Sequence, residues 1–463
     1  LFGTPHGQQS IRLYGITSQT GTGTIRVVAT DVSDRYDALT RQVPQAHWFE
    51  REIAEQWGVV PEGHPWLKPI RFHRSYRPGH DAWGRSDRDA LLPGVTDYFE
   101  MVGEEAHEVA VGPVHAGVIE PGHFRFQCHG EIVYSLEIEL GYQHRGIERQ
   151  LVGGPDKRTL HFMETLSGDA SIGHATAYSQ TVEALAASEA PLRGQALRAV
   201  ALELERLANH TGDLGALAQD IGFLPTASYC GRIRGDFLNT TAMLCGNRFG
   251  RGLVRPGGLA ADADARRIEA MQGRVEQALT DVTGAVDLLW NSASAMARFE
   301  ETGIVSRGDC DALGLVGVAA RACGLDRDSR RDFVSGFYRF AQIPVSTWHT
   351  CDSFGRAYVR WLELQRSARF VLDQLPQLPA GEVRRDLGNL APESLVVSLV
   401  EGWRGEICHV ALTDAAGRFA HYKVIDPSFH NWIGLAMSLR DQEISDFPLC
   451  NKSFNLSYCG HDL

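Results

Sequence analysis

The chain has 463 residues, 43% of them apolar and 22% charged, with a net charge of -12. That length holds two or three domains and a large core. The acidic balance excludes non-specific nucleic-acid binding, which needs a basic face, and no apolar run approaches the roughly 20 residues of a membrane-spanning helix. The best runs, such as LVVSLV (395–400), are core-sized. The opening residues LFGTPHGQQS lack the basic-then-apolar pattern of a secretory signal. With no initiator Met, further residues are expected upstream. Nine cysteines are scattered along the chain and no two form C-x-x-C. This suits a reducing compartment better than a disulfide framework, and it argues against a structural zinc site.

Residues 1–72 combine strand-like alternation (GTIRVVATDV, 23–32) with one helix, AHWFEREIAEQWG (46–58), which Gly58 terminates as a C-cap. Residues 73–104 are polar, aperiodic and punctuated by Gly and Pro, which predicts a linker. A β-hairpin follows: Phe124, Phe126 and Cys128 alternate, the chain turns at His129-Gly130-Glu131, and Ile132, Tyr134, Leu136, Ile138 and Leu140 alternate again. Beyond residue 155 the period changes. Leu197, Val200, Ala201, Leu204 and Leu207 take helical spacing, as do Ile268, Met271, Val275, Leu279, Val282 and Val286. A second hairpin, EICHVALTDAAGRFAHYKVID (406–426), turns at Asp414 to Gly417. The expected fold is α+β: a small N-terminal α+β domain (1–72), a linker (73–104) and a large helix-bundle domain with flanking β-hairpins (105–463).

TGTGTIRV (20–27) contains Gly-x-Gly but no third glycine opening a helix, and no phosphate loop is present. The chain itself is therefore expected to bind neither NAD nor ATP. What remains are Glu, His and Arg clusters in Gly-rich turns: GPVHAGVIEPGHFRF (112–126), GYQHRGIER (141–149), EGWRGEICH (401–409) and DPSFHNW (426–432). Such turns often line a cleft. Taken singly, an Arg beside a Glu is usually a structural ion pair, and a lone His is usually a packing residue.

Together, these stretches resemble the large subunit of group 4 nickel-iron hydrogenases, the energy-converting, formate hydrogenlyase type. More distantly they resemble the quinone-chamber subunit of respiratory complex I. ELERLANHTGDLGAL (203–217), NRFGRGLVRPGG (247–258), ALGLVGVAARACGLDRDSRRD (312–332) and the tail DFPLCNKSFNLSYCGHDL (446–463) extend the likeness. The first domain, through AHWFEREIAEQWGVVPEGHPWLKP (46–69), is similar to the small peripheral-arm subunit of complex I, which formate hydrogenlyase large subunits carry fused in front. The resemblance implies a peripheral subunit on the cytoplasmic side of the cell membrane, within a hetero-oligomeric redox and ion-coupling complex. Its expected partners are an iron-sulfur small subunit with 4Fe-4S clusters and membrane antiporter-like subunits.

In that family the nickel-iron site needs two Cys-x-x-Cys pairs, because four soft thiolates hold the metals. Counting back from His174 in LSGDASIGHATAYS (166–179), the early pair falls on Ser167 and Ala170. In the tail, Cys450 and Cys459 are nine apart and neither has a cysteine three residues away. No metal and no other cofactor is expected on this chain. The complex I likeness places His115 at a quinone-loop histidine, but the quinone tyrosine position falls on Gly168, and GVIEP (117–121) reads as a short insertion. The proton-handling elements do match. Glu120, Arg145 with Glu148, and Arg404 with Glu406 are the residues the resemblance implies for a proton relay or cleft network. His115, His123, Gly168, Asp169, His174, His430 and Asn431 are expected around the cavity. Three readings stay open: a metal-free coupling subunit, a working hydrogenase or quinone reductase with an atypical site recruiting Cys450, Cys459 or His461, and a structural assembly subunit.

Overall fold

The computed structural model describes residues 1–463 apart from Gln8, Asp87, Ala116 and Val118. Two positions of the 112–126 stretch, Ala116 and Val118, thus lie outside the described residues, the second of them within GVIEP.

The N-terminal region opens with an antiparallel sheet of β1 (Phe2–His6), β2 (Ser10–Gln19) and β3 (Thr24–Val32), followed by β4 (Arg35–Asp37). Helix α1 (His47–Trp57) comes next, and β5 (Val60–Glu62) pairs in parallel with β4. Ile53 and Trp57 of α1 pack on Ile11 and Leu13 of β2, while Trp48 and Phe49 join a second core with Phe429 and Trp432. Because both sides of α1 are covered, its acidic residues are buried too, and each finds donors. Glu50 accepts from the Leu39 and Thr40 amides, and Glu55 from those of Arg71 and Phe72. Gly58 ends the helix in the left-handed region (φ 65°), where a Cβ would lie 2.6 Å from the His80 carbonyl carbon.

Among the described residues, 73–104 form no helix or strand. They are nonetheless tied down along the next sheet: Lys68 donates to the Asp97 carbonyl, the Phe99 amide to Glu137 and the Met101 amide to Gln127. This segment is a bound strap, not a free spacer.

The first expected hairpin is β7 (His123–His129) and β8 (Ile132–Glu139), joined through Gly130; β6 (Ala106–Val111) adds a third strand on β7. Short helices α2 (Ile147–Gln150) and α3 (Thr159–Met163) lead into α4 (Ser171–Leu185), α5 (Leu192–Asp220) and α6 (Leu224–Cys245). A small hairpin of β9 (Val254–Arg255) and β10 (Gly258–Leu259) precedes α7 (Ala265–Trp290). Helices α8 (Ala293–Phe299), α9 (Arg307–Ala312), α10 (Gly317–Ala322) and α11 (Ser329–Asp332) form the corner before α12 (Ser353–Gln374). Both apolar stripes face one core: Leu197, Val200, Leu204 and Leu207 of α5 meet Met271, Val275, Val282 and Val286 of α7 in a single cluster.

The second hairpin, β12 (Glu406–Thr413) and β13 (Phe419–Ile425), also gains a strand, β11 (Leu395–Glu401), which pairs along the whole of β12. This sheet lies against α4. The tail folds back as α13 (Pro427–Ser438), α14 (Phe447–Phe454) and α15 (Tyr458–Asp462), so that the last residues reach the turn before α4. Among the described residues no helix is long and apolar enough to cross a membrane.

Candidate functional site

The turn Ser167–Ala170 and the tail turn Ser457–Gly460 meet at one point. Ser167 Oγ donates to Ser457 Oγ at 2.9 Å. Ser457 also caps α15, its Oγ accepting from the Gly460 amide at 2.9 Å, and Cys459 Sγ lies 3.4 Å from the same oxygen. Arg404 closes the turn from the β11–β12 side. Its guanidinium takes both Asp169 oxygens, at 2.6 and 2.8 Å, donates to the Asn455 carbonyl, and stacks 3.9 Å from the Trp403 ring centroid. Burial alone would raise Asp169, but Arg404 outweighs it and holds the carboxyl below its usual range.

Behind this turn runs a buried polar chain. Asp426 Oδ2 bonds His174 Nε2 at 3.0 Å, His174 Nδ1 bonds His409 Nε2 at 3.1 Å, and His409 Nδ1 bonds the Tyr422 hydroxyl at 2.9 Å. Burial pushes His409 well below the ordinary imidazole range, and the neighbouring His174 adds to the effect. Asp426 is held low despite its burial by the His174 hydrogen bond and by Arg404. Asp426 also sets the space at Gly460, where a Cβ would fall 2.7 Å from the Asp426 carboxyl carbon and 2.9 Å from Ser457 Oγ. Glu205 of α5 accepts from the Ile172 and Gly173 amides, fixing the first turn of α4, and burial pushes its carboxyl up to about 8.

The expected residues fall into several places instead of one cleft. Ser167, Gly168, Asp169, Ala170, His174 and Arg404 surround the turn just described. Glu120 joins them by accepting from the Cys459 amide at 3.3 Å, and Arg145 by donating to the Thr165 and Leu166 carbonyls. Gly168 is exposed, and a Cβ there would have only an ordinary contact, 3.7 Å from Arg251. His174 has both ring nitrogens engaged in the buried chain, so its imidazole does not face open space.

Glu148 is separate from Arg145. It accepts from the Val424 amide and pairs with Lys423 at 2.9 Å, and Lys423 in turn binds Glu52 at 2.7 Å. Lys423 and Arg71 together hold the buried Glu52 carboxyl at about 2. Arg404 and Glu406 also part company, since they flank Gly405 at the start of β12 and leave the chain in different directions. Glu406 lines a cavity of about 460 Å³ with His430, Ser329 and Glu401, and accepts from Ser329 Oγ at 3.0 Å. Burial and the nearby Glu401 push Glu406 up to about 7, and burial takes His430 down to about 4.

Asn431 bridges the amide and carbonyl of Val316, tying α13 to the start of α10, and His123 of β7 bonds the Gly112 carbonyl. His115 packs on Phe124, its Nε2 without a hydrogen-bond partner among the described residues.

Two family descriptions match this chain. Residues 220–394 match the respiratory-chain NADH dehydrogenase 49 Kd subunit, and residues 8–83 its 30 Kd subunit. Among curated proteins it is 27% identical over 444 residues to formate hydrogenlyase subunit 5 of Escherichia coli (strain K12), covering 94% of this chain and 78% of that one. It is 28% identical over 352 residues to the carbon monoxide-induced hydrogenase of Rhodospirillum rubrum, covering 75% and 97%. The C/D subunit of the NADH-quinone oxidoreductase of Bdellovibrio bacteriovorus is 25% identical over 363 residues, covering 75% and 64%. The chain is a homologue of hydrogenase and NADH-quinone oxidoreductase subunits. As expected from the sequence, its 30 Kd-like part precedes its 49 Kd-like part.

A search for tail thiols misses Ser457 and Gly460. Their signal is a spacing: Ser457-x-x-Gly460 repeats Ser167-x-x-Ala170, and the fold brings the two turns together. Asp426, His409 and Tyr422 offer no comparable pattern.

Proposed function

We propose that this chain is the large hydrogenase-like subunit of a membrane-associated, multi-subunit redox and ion-coupling complex, and that it holds no nickel-iron centre of its own. The observation that carries this reading is the donor set where the two turns meet. Four thiolates would be needed, and the positions at that spacing offer two hydroxyls, a methyl and a glycine. Crowding agrees with composition, because a side chain at position 460 would collide with Asp426. Among the described residues Cys459 is the one thiol at the site, and burial raises it to about 11, protonated at neutral pH. These residues do not fit the metal centre.

In this reading the chain docks on an iron-sulfur small subunit whose 4Fe-4S clusters carry electrons, and it rests on antiporter-like membrane subunits. Its own part is proton relay or conformational coupling. Glu120 beside Cys459, and the chain from Asp426 to Tyr422, supply groups that can take up, pass or hold a proton in a low-dielectric setting.

The test is nickel and iron analysis of the purified complex together with hydrogen uptake and evolution. Iron in multiples of about four, as the clusters of the partner require, without nickel or hydrogen turnover, is the expected result. Stoichiometric nickel with hydrogen turnover overturns the reading.

A further inference from the structure

The nine cysteines look unrelated in sequence, yet three of them converge at the corner where α9 and α10 meet the loop before α12. Cys310 lies in α9, Cys323 caps α10, and Cys351 precedes the first turn of α12. The Cys310 thiol raises that of Cys323, and the Cys323 thiol raises that of Cys351, so the three act on one another at short range. The backbone fixes this proximity independently. The Cys351 amide donates to the Ala322 carbonyl at 3.1 Å, the Val305 amide donates to the Cys351 carbonyl at 3.0 Å, and Cys323 Sγ donates to the Val305 carbonyl at 3.3 Å. Residues 323, 305 and 351 are therefore neighbours on three adjacent segments. Cys351 is held at φ 65°, a conformation that favours glycine and costs a side-chain-bearing residue about 1 kcal/mol. Cys310 and Cys323 are buried, whereas Cys351 is partly exposed.

We infer that Cys351 and Cys323 are a thiol-disulfide modification site, with Cys351 the entry point for a small-molecule disulfide and Cys323 the thiol that resolves it. The Cys351 thiolate attacks one sulfur of oxidised glutathione, forming a mixed disulfide and expelling one glutathione thiolate. Cys323 then gives up its proton and attacks the Cys351 sulfur, expelling the second glutathione. Two protein thiols are oxidised, one glutathione disulfide is reduced to two thiols, and both thiol protons end on glutathione. Cys310 lacks the solvent access needed for the first attack.

The bond pins the 349–352 loop to the end of α10. Its effect reaches beyond the corner, since Arg356 ties the Cys351 carbonyl to Ser453 of α14 and Asp352 caps α12. Burial, Cys323 and Asp352 raise the Cys351 thiol to about 11 against the opposing pull of Arg356. The first attack therefore speeds up by about tenfold per pH unit between pH 7 and 9.

The test treats the full chain in its purified complex with oxidised glutathione at pH 8.5, then denatures, alkylates and maps it by mass spectrometry. The expected result is two fewer alkylatable cysteines than the nine of the reduced chain, and one peptide pair joined through Cys323 and Cys351 that dithiothreitol releases. Cys351→Gly, which suits the backbone at that position, abolishes the pair, and Cys310→Ser leaves it. Nine alkylated cysteines, a Cys310–Cys323 linkage, or a glutathione adduct that stays on Cys351 unresolved would each overturn the inference. The wild-type peptide map decides these outcomes even if neither variant folds.

Discussion

A methyl group at position 460 would sit against the Asp426 carboxyl, so Gly460→Ala is expected to destabilise the chain by about 2 kcal/mol in chemical denaturation, as overpacking does elsewhere. Arg404 gives a second prediction. Truncation to Ala leaves the Asp169 carboxylate without its bidentate partner and the Asn455 carbonyl without its donor, at a cost of about 3 kcal/mol. Arg404→Lys recovers only part of that loss, because an ammonium cannot make the forked contact.

A third prediction concerns pH. Glu205 and Glu406 ionise in the folded state only near 8 and 7, whereas in the unfolded chain they ionise near the ordinary carboxyl value of 4.5. The folded state therefore binds more protons over that interval, and stability falls as pH rises through it. The depressed histidines, His409 and His430 among them, act in the opposite sense but only below pH 6.5. Between pH 6.5 and 8 these histidines no longer oppose the carboxyl effect. A denaturation midpoint that declines across this window, with a shallower decline in Glu205→Gln, is the expected result.

At the scale of elements, α5 is both the axis of the bundle and a carrier of site residues. Leu204, fully buried at its centre, is expected to cost about 3 kcal/mol when replaced by Ala. The next two residues point to other faces: Glu205 holds α4 and Arg206 holds the Glu401 and Gly402 carbonyls. Elements governed by local chemistry are legible in the sequence: α1 with its Gly58 cap, the two hairpins with their turns, and the stripes of α5 and α7. The third strands are not. β11 is a mostly apolar run, broken by Ser398, whose partner is named only by tertiary pairing, and β6 carries just short polar-apolar alternation. The site is half legible. Arg404, Asp169, Ser167, Ala170 and His174 do meet, but adjacency wrongly groups Arg404 with Glu406, since residues two apart around a turn need not share a face. The strap at 73–104 reads as a linker because its bonds go to side chains of β7 and β8, which composition does not reveal.

For the whole molecule, the N-terminal region is joined to the bundle by buried charge as well as apolar packing. Glu52 of α1 is shared between Arg71 and Lys423, the latter on β13, and Trp48 packs edge-on against His461 of the tail. Breaking one member of such a cluster leaves the rest uncompensated. Calorimetry of the wild-type chain is thus expected to give one transition. In Lys423→Ala, with Glu52 and Glu148 deprived of that ammonium, the 30 Kd-like part is expected to melt first, as a separate transition.

The crowding of Gly460 by Asp426 also has a bearing on descent. A cysteine entering at position 460 meets a filled space, while an Asp426 that leaves first strands His174 and its neighbour His409. Substitutions at the two positions are thus tied in order, and neither is freely taken alone. Among related sequences, those with a cysteine at the position of Gly460 are expected to carry a small residue in place of Asp426. An alignment in which cysteine and aspartate occur together at these sites would break that rule.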